Sequence, residues 1–193
     1  MWLLKPPTQL TIQVENFIND QECQEIFDWA NDIENFEDAA IGEHNNNSSS
    51  VNHTLRNTNI KWLMPGDKTQ NFFKKLTDFI TYVNENNFHY DLTYIEALQF
   101  SKYDSADSQF YGPHVDCHWH YHQRKLSVII FLNDRDDFTG GELMINLTGT
   151  LQKMNHKKNS ILVFPSFLVH EVKPVLSGVR YSLVTWVNGP RFR

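Results

Sequence analysis

The chain is short of the features that mark several large classes of protein. It has two cysteines in 193 residues, Cys23 and Cys117, 94 positions apart. That excludes a disulfide-stapled scaffold and a Cys-rich zinc fold, and neither CxxC nor HExxH occurs. The two thiols could pair only if the fold brought them together. A cytoplasmic protein, the expectation here, would keep them reduced, and the sequons at Asn52 and Asn146 then carry no meaning. No run approaches eighteen consecutive apolar residues, so no membrane partner is expected. The opening MWLLKPPTQL lacks both a long apolar region and a cleavage site, so it does not read as a signal peptide. Basic residues are in the minority, 17 Lys and Arg against 23 Asp and Glu, with a net charge of −6. A dedicated nucleic-acid binder needs a concentrated basic stripe, so no nucleic-acid partner is expected. There is no internal repeat.

What is present suffices for a packed core: 40% of residues are hydrophobic and 13% aromatic. The length fits a single domain over 1–193, with 1–90 as helical and strand support and 91–190 as a β core. The charge is uneven. Residues 1–50 carry one Lys and ten acids, giving −9, and residues 51–193 carry sixteen Lys or Arg and thirteen acids, giving +3. The mildly basic second part suits anionic cosubstrates.

Residues 10–18 alternate as a strand does. Asn19 or Asp20 then caps a helix to about Glu34, with Ile26, Phe27, Ala30 and Ile33 at helical spacing. The polar, low-complexity stretch 42–50 reads as a mobile loop, and as a possible lid over substrate. A second helix is predicted from Thr69 to Asn86, with Phe72, Phe73, Leu76, Phe79, Ile80 and Val83 as its apolar stripe. From Tyr94 the pattern becomes short β runs near 94–103, 109–117, 125–132, 142–147, 160–164, 169–174 and 179–187. Gly140-Gly141, Pro165-Ser166 and Ser177-Gly178 are read as turns. The fold class is mainly β with flanking helices (α+β), a jelly roll with the helices on one outer face.

Four residues carry the chemistry: His114, Asp116, His170 and Arg180. Side chains at i and i+2 of a strand share a face, so His114 and Asp116 are expected to point together, with Val115 behind them. His170 opens a later strand. Two His and one carboxylate on one face of a metal leave its other positions open, as in non-haem Fe(II) oxygenases. Catalytic zinc accepts the same donors. Arg180 supplies a rigid, always charged fork for a carboxylate. Alternation places Arg180, Ser182, Val184 and Trp186 on one face, where Arg180 and Ser182 could hold the distal carboxylate of 2-oxoglutarate. Tyr103 and Tyr111 precede the metal strand, and their hydroxyls could reach the same cosubstrate. Phe100, Phe131, Phe164 and Trp186 are candidate walls that keep the site dry. His118, His120 and His122 form a further His-rich run, read as a polar loop at the mouth rather than as extra ligands. The basic ending GPRFR reads as a solvated tail.

The segments YGPHVD, FTGGELMI, ILVFPSFLVHEVKPVLSGVRYSLVTW and LRNTNIKWL resemble the prolyl 4-hydroxylase-type Fe(II)/2-oxoglutarate dioxygenases, and the GGEL and HEVKPVLSGVR runs resemble the PKHD-type branch. The likeness covers roughly residues 14–188. It implies a double-stranded β-helix, iron on His114, Asp116 and His170, 2-oxoglutarate on Arg180 with help from Tyr103, and Arg56 at the substrate entrance, while Trp186 on the Arg180 face is a further candidate substrate contact. Many prolyl 4-hydroxylases have Lys where this chain has Arg180; Arg keeps the charge and adds bidentate geometry. Asp116 argues against the related halogenases, which have a small residue there.

The implied reaction takes O2, decarboxylates 2-oxoglutarate to succinate and CO2, and hydroxylates an unactivated C–H bond, with ascorbate as a reductant. A prolyl residue of a peptide or protein is the implied substrate. The alternatives are another residue or a small metabolite, or a non-catalytic barrel that senses iron and 2-oxoglutarate. Composition and motif leave the oligomeric state open.

Overall fold

A computed structural model of the chain describes residues 9–39, 41–42, 49–50, 52–118 and 121–191. The N-terminal part runs β1 (Ile12–Val14), α1 (Asp20–Asn31), β2 (Glu37–Asp38), β3 (Ile41–Gly42), β4 (Ser49–Ser50), β5 (Arg56–Asn57), β6 (Asn59–Leu63) and α2 (Gln70–Val83). The β core follows with β7 (Tyr94–Ile95), β8 (Leu98–Asp104), β9 (Phe110–His114), β10 (Arg124–Phe131), β11 (Phe138–Gly140) and β12 (Leu143–Leu147). It ends with β13 (Thr150–Lys153), β14 (Ile161–Pro165), β15 (His170–Val172) and β16 (Val175–Asn188).

Two antiparallel sheets face each other. The larger runs β1-β14-β10-β16-β8-β6-β2, with β7 and β11 also paired to β16. The smaller runs β13-β12-β15-β9-β5. This is the mainly β, helix-flanked double-stranded β-helix. Strand β10 explains the layering. All eight of its residues are buried, as befits a strand covered on both sides. Leu126, Val128 and Ile130 join the cluster under the helices, while Ile129 and Phe131 join the cluster between the sheets. Period-two alternation thus builds two cores from one strand.

The helices cover the outer face of the larger sheet. Asn19 caps α1 through a reciprocal box: its side chain accepts from the Glu22 N–H at 2.8 Å, and Glu22 accepts from the Asn19 N–H at 2.9 Å. Cys23, Ile26 and Ala30 form the buried face of α1, and Phe72, Leu76, Ile80 and Val83 that of α2. Lys75 reaches Glu22 at 2.7 Å and ties the two helices together.

Several boundaries differ from the pattern. Helix α2 ends at Val83 and continues as a π-turn over Asn84–Phe88, closed by His89 at φ 57°. The Ser177-Gly178 step is not a turn between strands, because β16 runs straight through it. Gly178, at φ 71°, instead sits where the β11 pairing crosses β16, and a Cβ there would lie 2.1 Å from the Asp137 carbonyl oxygen. Residues 43–48 and 1–8 lie outside the described residues, as do Trp119, His120, Phe192 and Arg193. The ends of the 42–50 stretch pair with each other, Ile41 to Ser50 and Gly42 to Ser49. Among the described residues no helix is long and apolar enough to cross a membrane. Both thiols are free, Cys23 buried and Cys117 half-buried.

Candidate active site

Between the sheets lies a pocket that collects the chemistry-bearing residues. His114 ends β9 and His170 opens β15, and the two residues are direct cross-strand partners. Asp116 does not share a strand face with His114. The strand stops at His114, and Asp116 sits in the bend beyond it, where the N–H groups of Asp116 and Cys117 both donate to the Ser166 carbonyl, at 2.9 and 3.0 Å. The turn after β14 therefore aims the carboxylate, rather than the pleat of β9. One ligand-capable atom from each of His114, Asp116 and His170 lies within 4.8 Å of the others.

The imidazoles are oriented for coordination. The Nδ1 of His114 lies 2.8 Å from the Gly112 carbonyl, and that of His170 lies 2.9 Å from the Leu168 carbonyl. A carbonyl only accepts, so both Nδ1 atoms donate, and both Nε2 atoms turn toward Asp116, at 3.6 Å for His114 and 3.3 Å for His170. Burial, aided by His170, pushes the His114 pKa down to about 4, so its ring is neutral at pH 7. Burial alone would raise the Asp116 carboxyl, but the His170 charge beside it holds it well below the usual carboxylate range. Burial likewise opposes the charged form of His170, and the Asp116 carboxylate outweighs it and raises the pKa. An ionised, buried carboxylate between two Nε2 atoms is a donor set that a divalent cation fits.

Arg180 provides the second half of the site. It is 1% exposed, lies on β16, and lines the pocket that His114, Asp116 and His170 line. One guanidinium nitrogen donates to Ser182 Oγ at 3.1 Å. Its Nε and Nη2 have no hydrogen-bond partner, and no carboxylate among the described residues pairs with it. Buried donors are almost always satisfied, so two open ones on a buried cation point to an anionic ligand. Tyr103 lies with its ring 5.2 Å from the guanidinium carbon.

Tyr111, Arg56 and Trp186 also line the pocket. Burial pushes the Tyr111 phenol up to about 12, so it keeps its proton. Trp186 is flanked by Arg124, whose guanidinium lies 3.7 Å from its ring and is held by both Glu96 oxygens, at 2.8 and 2.7 Å. That Arg124–Glu96 clamp was not read from the sequence; its partners are 28 residues apart. Gln99 lines the pocket as well, and its signal was available: in β8, Gln99, Ser101 and Tyr103 alternate with apolar Leu98 and Phe100.

Two expectations need correction. Phe100 is no wall of the site; the same alternation turns it to the helix side, against Phe27 and Tyr181. Phe131 and Phe164 pack behind the pocket, in the cluster between the sheets. His118 and His122 follow β9 in a turn-rich loop, His118 edge-on to Tyr121 and His122 accepting from Arg191 at 2.7 Å, and neither joins the His114–Asp116–His170 cluster.

Known proteins give the same outline. A PKHD-type hydroxylase of Acaryochloris marina is 37% identical over 95 residues, which cover 49% of this chain and 42% of that protein. One of Rippkaea orientalis is 34% identical over 98 residues, covering 49% and 43%. The chain thus spans less than half the length of these curated relatives. In fold it is similar to a Pseudomonas putida prolyl-4-hydroxylase (TM-score 0.74, 21% identity, 94% of this chain and 93% of that one). It is also similar to a Trichoplax adhaerens prolyl hydroxylase solved with a peptide fragment of hypoxia inducible factor (0.76, 19%, 93% and 83%). Residues 98–188, which carry every residue lining the pocket except Arg56, match the family model of the 2OG-Fe(II) oxygenase superfamily.

Proposed function

We propose that this protein is an Fe(II)- and 2-oxoglutarate-dependent dioxygenase that hydroxylates a C–H bond, with a prolyl residue of a peptide or protein as its target. One observation carries the reading: the open Nε and Nη2 donors of buried Arg180 share a pocket with the His114–Asp116–His170 cluster. A metal on that cluster and a carboxylate on Arg180 together suit a dicarboxylic 2-oxo acid. The whole chain is taken as one domain, residues 1–90 supporting the 91–190 core.

In this reading His114, Asp116 and His170 hold iron through two Nε2 atoms and a carboxylate. Bound there, iron supplies the chemistry that couples O2 and decarboxylation of the 2-oxo acid, with release of succinate and CO2, to hydroxylation of the substrate. Arg180 and Ser182 bind the distal carboxylate, with Tyr103 beside them. Tyr111 donates from a phenol that stays protonated. Arg56 and Trp186 border the space left for substrate, and the packed sheets exclude bulk water. Ascorbate serves as reductant. The prolyl target is supported by what the structural relatives act on: one is a prolyl-4-hydroxylase, and another holds a peptide.

The test is anaerobic titration with Fe(II) and 2-oxoglutarate, followed by a panel of proline-containing peptides. A visible charge-transfer band that His170→Ala removes and Arg180→Ala weakens supports the cofactor site. Hydroxylated peptide with matching succinate supports the substrate. A folded, iron-loaded protein with no band overturns the dioxygenase reading, and succinate without any hydroxylated peptide overturns the prolyl target.

A further inference from the structure

The Asp116 carboxylate is held by a pair of serines, one bonded to it and the other bonded to the first. Ser127, on β10, donates its hydroxyl to Asp116 Oδ2 at 2.6 Å. The Oγ atoms of Ser127 and Ser166 lie 2.9 Å apart. Each hydroxyl has one proton. The proton of Ser127 is directed at the carboxylate, so Ser166 is the donor of the second bond. The relay therefore runs from Ser166 to Ser127 to Asp116, each bond polarising the next. Both serines are fully buried, so no water competes for these bonds. Ser166 fixes the backbone as well. Its carbonyl accepts from Asp116 and Cys117, and its own N–H donates to the Lys125 carbonyl at 3.0 Å. Three segments, the bend after β9, strand β10 and the turn after β14, meet on one carboxylate.

Packing alone does not ask for a hydroxyl at position 127. Its cross-strand partners are Phe164 and Trp186, and the next four residues of β10 are all apolar. A buried hydroxyl is costly unless bonded, and this one is bonded to a carboxylate.

We propose that Ser127, backed by Ser166, is a positioning residue that fixes the rotation of the Asp116 carboxylate and so sets how tightly, and for how long, the His114–Asp116–His170 cluster holds a divalent metal. This rests on reading that cluster as the metal centre. A carboxylate free to turn about its Cβ–Cγ bond can offer one oxygen or two. A short, charge-assisted bond to Oδ2 holds it in one orientation, and removing partners of this kind weakens metal sites by about 10–100-fold.

The experiment uses Co(II) as the probe, on wild type and the Ser127→Ala, Ser127→Thr and Ser166→Ala variants. It measures the dissociation constant, the rate of metal loss to a chelator, and the visible Co(II) spectrum. Thermal unfolding without metal is run alongside. Ser127→Ala is expected to bind Co(II) about 10–100-fold more weakly, lose it faster and show an altered spectrum. Ser127→Thr is expected to restore all three, and Ser166→Ala to fall between. A serine needed only for folding would lower the unfolding temperature and leave the spectrum unmoved. A folded Ser127→Ala protein with wild-type affinity, lifetime and spectrum overturns the proposal. If that variant does not fold, Ser166→Ala decides in the same way. Succinate formation by wild type separates the two readings. Succinate with Ser127-independent Co(II) binding overturns this inference alone. Ser127-dependent binding without succinate overturns the dioxygenase reading alone. Wild type that binds no Co(II) overturns both.

Discussion

Tyr111 lies flat on His114, with ring centroids 3.4 Å apart and planes within 11° of parallel. The Arg56 guanidinium sits 4.4 Å from the same Tyr111 ring, and Arg56 and Tyr111 are direct partners across β5 and β9. The stack restrains an imidazole that also bonds the Gly112 carbonyl and packs against the His170 ring at 4.1 Å. Tyr111→Phe keeps the stack and removes the hydroxyl; it should leave stability and metal affinity near wild type and weaken 2-oxoglutarate by about fivefold, the worth of one hydrogen bond. Tyr111→Ala should destabilise the protein by about 3–5 kcal/mol and weaken metal binding too. Calorimetric titration and thermal unfolding of the two variants check this.

Arg180 places a cation in the core with two donors open. Removing it should therefore have opposite effects on stability and binding. Arg180→Met should raise the melting temperature of the ligand-free protein, because an unpaired buried charge costs more than the methionine that replaces it. The same variant should bind 2-oxoglutarate at least about thirtyfold more weakly, matching the 2–5 kcal/mol typical of such truncations. A melting temperature that falls would show that Arg180 is satisfied in a way the pocket does not reveal.

His156 gives the protein an acid-sensitive core. Burial, with the nearby Arg180 charge, pushes its pKa down to about 3, and the ring packs against Phe131 and Phe138 while bonding the Asn133 carbonyl at 2.9 Å. An unfolded histidine titrates near 6.5. Between those two values the unfolded chain takes up a proton that the folded chain refuses. Stability should be flat above about pH 6.5 and fall as pH drops toward 3, by up to about 1.4 kcal/mol per unit from this one residue. His156→Phe should flatten that slope, measured as the difference in unfolding free energy between pH 7 and pH 5. An unchanged slope would assign the acid sensitivity elsewhere.

Gly178 is fixed by backbone geometry. A methyl group there would overlap the Asp137 carbonyl, and its φ of 71° disfavours any L side chain. Gly178→Ala should cost about 1–3 kcal/mol from backbone strain, with a further loss from the overlap. It should also weaken 2-oxoglutarate binding, since Arg180 is two residues on in the same strand. Thermal unfolding and ligand titration read the two effects.

The parts of the site legible in the sequence were those with short-range periodicity or distinctive chemistry. His114, Asp116, His170 and Arg180 were readable because few chemistries use those four residue types in that order. The face shared by Arg180, Ser182 and Trp186 followed from strand alternation. The features that the sequence does not carry are non-local. Asp116 reaches the cluster through Ser166, fifty residues later in the chain. Strands β5 and β6, in the polar segment LRNTNIKWL, form because β9 and β8 accept them as partners. Ser177-Gly178 has the composition of a turn, and only the pairing of Gly178 with Phe138 of β11 shows the strand running on through it. Phe100 was misplaced because aromatic content alone does not say which side of β8 faces the helices.

Arg180 belongs to the larger sheet, whereas His114 and His170 belong to the smaller one. An acid gripped at one end by Arg180 and at the other by the histidine cluster must bridge the two layers. Their separation is fixed by the side chains packed between them, among them Phe131, Leu143 and Phe164. On the proposed function the hydrophobic core would act as a caliper for that acid, and a substitution that thickens the filling is expected to change which diacid length binds without touching a ligand.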